Sequence, residues 1–259
     1  MRTLPSRGTV AVVRTEARLF GRELGSLFWI LVFPTVLLSA LAVVPSFREP
    51  DPALGGLRVI DLYVPIAILM SMIMAALMAM PPVVFAYREN GVLRRLGTTP
   101  VGPSALLAAQ VLLHAAAVVV SSVVVLLVGT LAFDTPLPAS PFGFVLAYLL
   151  ALVASFSIGA VLTSLCPTSR VGTTVGTIVF FPAMFTAGVW VPVRAMPDTL
   201  REVVELTPLS AAAQAMTDTM PATMPATTGG GLPEPHHLVV VAVWAVALSF
   251  VAVRTFRWE

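Results

Sequence analysis

Six apolar stretches recur along this chain, each long enough, or nearly so, to cross about 30 Å of hydrocarbon as a helix. They are Leu27–Val44, Val64–Tyr87, Ala105–Phe133, Phe142–Cys166, Val171–Val193 and Leu238–Val253. In lipid such a segment must satisfy its own backbone, which leaves helices as the spanning form for runs of this length. The expected fold is therefore an all-α membrane protein with six spans. Composition agrees, with 58% of residues hydrophobic and 11% charged, against about 25% charged in typical soluble domains. Only Pro167, Thr168, Ser169 and Arg170 separate the fourth and fifth stretches, so those two should form a tight hairpin.

Orientation follows from charge. With the N-terminus inside, cytoplasmic segments hold eleven of the fifteen arginines and four of the thirteen acids, a net of +7. External segments hold four arginines and nine acids, a net of −5. That bias satisfies the positive-inside rule and predicts both termini in the cytoplasm. Residues 1–26 precede the first span, and residues 27–259 form the membrane domain. Within the first segment Val13, Ala17, Phe20, Leu24 and Leu27 form an apolar stripe, while Arg14, Arg18 and Arg22 line another face. This pattern predicts an amphipathic helix lying on the inner leaflet.

Several chemistries are excluded. Every basic residue is arginine, so the chain has neither a Walker A phosphate loop nor a Schiff-base lysine. The expectation is a chain that is not an enzyme and holds no cofactor; ATP-driven work falls to another polypeptide. A single cysteine, Cys166, rules out an internal disulfide or a CxxC metal site. His114 and Ser121 share a face of the third span, but no GxSxG element accompanies them, and a packing histidine is the simpler reading. Proton- or ion-coupled carriers place ionisable residues near the midplane, and the span interiors offer only His114. Energy should come from outside the chain.

Three regions stand out as candidate sites. The loop from Arg88 through Glu89, Gly91, Val92, Leu93, Arg94, Arg95 and Leu96 to Pro100 displays apolar residues among charges. An apolar knob flanked by arginines suits a partner's groove. Met70, Met74 and Met78 form a stripe on the second span, an adaptable surface for apolar cargo that packing explains equally well. Thr173 and Thr177 on the fifth span offer polar contacts, although Gly172 and Gly176 there read as a close-packing pair. Before the last span, Thr199 to Glu202 has capping-box spacing. Pro197 precedes it, and Thr207-Pro208 reads as a threonine cap with proline at the first helical position. Two short helices, one apolar, predict an external re-entrant hairpin, followed by a flexible linker over Thr219–Gly231.

The stretch from Arg88-Glu89-Asn90-Gly91 to Thr99-Pro100-Val101, together with Phe181-Pro182, Gly188, Pro192, Met196-Pro197 and Thr207-Pro208-Leu209, resembles the signatures of the ABC-2-type permease family. Thr207 stands where that family usually has asparagine. The resemblance covers nearly the whole chain. It implies a permease subunit of an exporter in a bacterial plasma membrane, with amphipathic or hydrophobic cargo such as an antibiotic or drug. It further implies two cytoplasmic ATP-binding-cassette subunits that bind ATP and Mg, and a second permease chain, identical or homologous. The partners would include membrane lipids and no nucleic acid. The 88–100 loop would be the coupling helix. Lipid or glycan export, and a non-transporting scaffold or assembly factor, are the alternatives.

Overall fold

The computed structural model describes residues 7–54, 57–98, 102–221 and 231–256, and apart from one two-strand ribbon its regular structure is helical. In chain order come α1 (Arg7–Phe20), α2 (Leu24–Ala42), β1 (Pro50–Asp51), β2 (Leu57–Arg58), α3 (Val59–Glu89), α4 (Val92–Gly97) and α5 (Pro103–Phe133). Then follow α6 (Pro141–Leu165), α7 (Ser169–Thr186), α8 (Asp198–Glu205), α9 (Pro208–Thr217) and α10 (Pro235–Thr255). The strands pair antiparallel, Pro50 opposite Arg58. Among the described residues five helices, α2, α3, α5, α6 and α10, are long and apolar enough to cross a membrane.

The bundle is built around α3. Its most apolar window is 94% buried, against 17% for α2 and for α10, so α3 is the axis on which the others pack. It runs 31 residues, about 46 Å at 1.5 Å per residue. Two helices carry a π-type turn, at Phe28–Val32 in α2 and Met74–Ala79 in α3. Each ends just before a proline, Pro34 or Pro81. Proline lacks the N–H that the preceding turn's carbonyl would accept, and a wider turn absorbs the mismatch. The α3 bulge meets α6 at Gly159, where a Cβ would collide with the Ala76 carbonyl.

Two expectations change here. The amphipathic helix stops at Phe20 and a turn at Gly21–Glu23 separates it from α2, so Leu24 begins the next helix and is exposed. The apolar stripe does not continue through it. The fifth apolar run also outlasts its helix. α7 ends at Thr186 because Gly188 takes a left-handed φ of 85°. Gly188 N–H donates to Phe185 O and Val189 N–H to Met184 O, a Schellman stop. With 18 residues, several of them threonine or glycine, α7 is not among the five long apolar helices.

The entry to α3 is pinned electrostatically. Arg58 donates to both Asp61 carboxylate oxygens, at 2.9 and 2.7 Å, and to the Asp134 carbonyl at 2.8 Å. The start of α3 is thereby tied to the end of α5. The hydrogen bond to Asp61 holds the Arg58 guanidinium above its ordinary pKa.

Candidate functional site

The charged loop is anchored from both sides. At the end of α3, Arg88 donates from Nη1 to the Cys166 carbonyl and from Nη2 to the Thr163 carbonyl, each at 2.9 Å. Its guanidinium lies over the rings of Phe85 and Phe256. Glu89 Oε1 accepts from the Ser169 backbone N–H at 2.7 Å. A cation therefore sits at the C-terminal end of α6 and an anion at the N-terminal end of α7, each matched to the local helix dipole. The sequence placed both residues in the loop; the structure gives them partners within the chain.

After Asn90, Gly91 adopts φ 69° and turns the chain into α4. This short helix packs on α3 and α5. Leu93 is 2% exposed, which corrects the expectation of an apolar knob made by all three hydrophobic side chains. One side of a six-residue helix necessarily faces the bundle, and Leu93 occupies it. Val92 and Leu96 are half-buried, while Arg94 and Arg95 are exposed. The outward surface of α4 is thus an arginine pair bordered by two partly covered apolar residues. Pro100 lies outside the described residues.

The methionine stripe is mostly interior. Met70 is 1% and Met74 8% exposed, packed inside the chain because α3 is the bundle axis, so neither lines an open path in a single copy. Met78 is half-buried and shares a small cleft with Thr173, beside Phe85 and Gly172. Thr173 and Thr177 lie on the exposed side of α7, where the Thr177 hydroxyl donates to the Thr173 carbonyl. Gly172 and Gly176 do pack closely, Gly172 directly against the Phe85 ring.

The two short helices before the last span form, with different capping. α8 starts at Asp198 after Pro197, so Thr199 lies inside its first turn and does not cap it. Pro208 is the first residue of α9, as expected, but the Thr207 hydroxyl donates back to the Val204 carbonyl and does not cap α9. Leu209 to Thr217 are buried, packed against α3, α6 and α10. Of the linker expected after them, residues 222–230 lie outside the described residues, while Met220 is buried.

Two polar clusters escaped the sequence reading. Glu16 on α1 is 7% exposed, and its Oε2 accepts from Tyr87 Oη and Gln110 Nε2, each at 2.6 Å. The signal was present: Glu16 is three residues after Val13 and four before Phe20, on the apolar stripe itself. On the far end, Asp218 Oδ2 accepts from Glu234 N–H at 3.1 Å and bonds His237 Nδ1 at 2.8 Å, while Oδ1 lies 3.6 Å from Arg194. Their sequence separation hides the convergence. His114 packs its ring on Phe20 and bonds the Gln110 carbonyl through Nδ1. Neither His114 Nε2 nor Ser121 Oγ has a hydrogen-bond partner among the described residues, so they form no base–nucleophile pair. Among the described residues no three His, Cys, Asp or Glu side chains converge as metal ligands.

Several lipid-length helices around one buried axis, closed at one end by a short arginine-bearing helix, define a multi-pass membrane protein. The chain belongs to the ABC-2 type transporter family, whose pattern matches residues 1–220. That family supplies permease subunits of ATP-binding-cassette transporters, membrane chains without their own ATPase that work with ATPase partners. A search of curated proteins returns no match to this sequence.

Proposed function

We propose that this chain is the permease subunit of an exporter that moves an amphipathic or hydrophobic compound, of the antibiotic or drug-efflux kind. Two copies, or one copy and a homologue, pair across the membrane with both termini cytoplasmic. Two ATPase subunits bind ATP and Mg beneath them. In this reading α7 is the fifth of six crossings, and α8 and α9 form a re-entrant hairpin on the external side. The plasma membrane of a bacterium is the expected location.

One observation carries the coupling assignment: α4 presents Arg94 and Arg95 outward while Leu93 roots it on the buried axis of the bundle. A push on α4 would be delivered to α3, the element that touches most of the others. Burying the partly covered Leu96 in a partner's groove would contribute up to about 1.5–3 kcal/mol, and the arginines would orient the docking. Export would then require two arrangements of the permease pair that bind ATP and cargo with different affinities.

The test is reconstitution with the cognate ATPase subunit. Leu96→Asp combined with Arg95→Glu should abolish export and ATPase co-purification while the permease still inserts. A cysteine at Asn90 should be shielded from an impermeant thiol reagent in intact cells, and one at Glu49 should react, with Cys166 replaced. Full export by the double variant, or external labelling at Asn90, would overturn the coupling reading.

A further inference from the structure

Two cavities meet beside the Arg88 corner. One, of about 500 Å³, is bounded by Arg88, Ser164, Cys166 and Arg254. The other, of about 280 Å³, is an apolar cleft walled by Val84, Leu107, Ala160 and Val253, contributed by α3, α5, α6 and α10. Phe256 lines both. Among the described residues no acidic side chain lines the first cavity. Arg254 is exposed, its guanidinium 5.0 Å from the Phe250 ring centroid. Arg88 is committed to the carbonyls at the end of α6, where its charge offsets the negative end of the helix dipole. Among the described residues that line the cavity, the cation offered to a ligand is therefore Arg254.

The cleft opens sideways towards lipid, since Val111 is 41% and Val253 79% exposed. A soluble anion would use Arg254 and leave the apolar cleft empty. A neutral hydrocarbon would fill the cleft and gain nothing from Arg254. A ligand with an acidic head and a hydrocarbon tail uses both.

We propose that this two-part site seats one anionic diacyl phospholipid, its phosphate on Arg254 and an acyl chain in the cleft, on the side of the membrane where α4 lies. The bound lipid would wedge α10 against α3, α5 and α6. The proposal rests on the chain lying in a membrane and is independent of the export reading.

Native mass spectrometry of the purified full-length chain, titrated with phosphatidylglycerol or phosphatidylcholine of identical chains, tests it. The wild type should retain phosphatidylglycerol about fivefold better, the scale of one arginine–anionic lipid contact. Arg254→Ala should bring the two lipids level and Arg254→Lys should keep the preference. Arg48→Ala, at an exposed position beyond the opposite end of α2, should change nothing. Ala160→Phe should lower retention of both lipids. Glycerol 3-phosphate, which has the anion without chains, should not displace the bound lipid at equal concentration. Equal retention of the two lipids by the wild type, an undiminished preference in Arg254→Ala, or displacement by glycerol 3-phosphate would each overturn the assignment.

Discussion

Arg88 and Glu89 are adjacent in sequence and bind the two sides of one turn: Arg88 holds the Thr163 and Cys166 carbonyls, and Glu89 holds the Ser169 N–H. The end of α3 is thereby stapled to the α6–α7 hairpin. Hydrogen bonds to a charged group contribute roughly 1.5–3 kcal/mol each, so Arg88→Ala should destabilise the protein measurably. The expected readout is a lower melting temperature in detergent together with faster modification of Cys166, which is 5% exposed. An unchanged melting temperature and thiol rate would show that the staple is incidental.

Leu93 and Leu96 should behave differently although they sit three residues apart on one helix. Leu93→Asp places a charge against the bundle at a site 2% exposed, and should reduce accumulation and thermal stability. Leu96→Asp, at a partly covered position, should leave the melting temperature within a few degrees and act on ATPase binding alone. Equal loss of stability in both variants would mean α4 is embedded more deeply than it is here.

At Gly172 a Cβ would collide with the Phe85 ring. Gly172→Val should therefore separate α7 from α3 and cost about 1–3 kcal/mol, the usual range for overpacking. Phe85→Ala opens space at that point, so the double variant should be more stable than the sum of the two single losses predicts. Additive melting shifts would argue against direct contact.

The Glu16 cluster predicts that α1 is docked by a carboxylate as well as by its apolar face. Glu16→Ala would leave the buried Gln110 amide and the Tyr87 hydroxyl without their acceptor, at a cost of roughly 1–3 kcal/mol. Limited proteolysis at Arg22, in the turn after α1, should accelerate in that variant. Wild-type cleavage rates would show that lipid contact alone seats the helix.

Asp218 gathers Arg194, the Glu234 N–H and His237. Asp218→Ala should loosen the junction of α9 and α10 and raise hydrogen exchange through residues 231–237. Unaltered exchange there would assign the junction's order to the packing of α9.

The sequence alone determined the helical, lipid-embedded character of the chain, because hydrocarbon admits few other backbone solutions. It also determined the ends of α6 and α10 to within a few residues, and the position of the charged loop, whose Gly91 turn and arginines are local features. Tertiary structure decided which apolar helix is the axis, since α3 and α10 have the same mean hydropathy of 2.2, yet the most apolar window is 94% buried in α3 and 17% in α10. That choice moved Met70 and Met74 into the interior and turned Leu93 inward. It also decided where α7 ends, because the stop depends on the φ of Gly188 as well as on apolarity. The pairing of Glu16 with Gln110, and of Asp218 with His237, had no local signature. Contacts between residues 19 to 94 positions apart are made by the packing of whole helices, and hydrophobic periodicity is blind to which polar side chains that packing brings face to face.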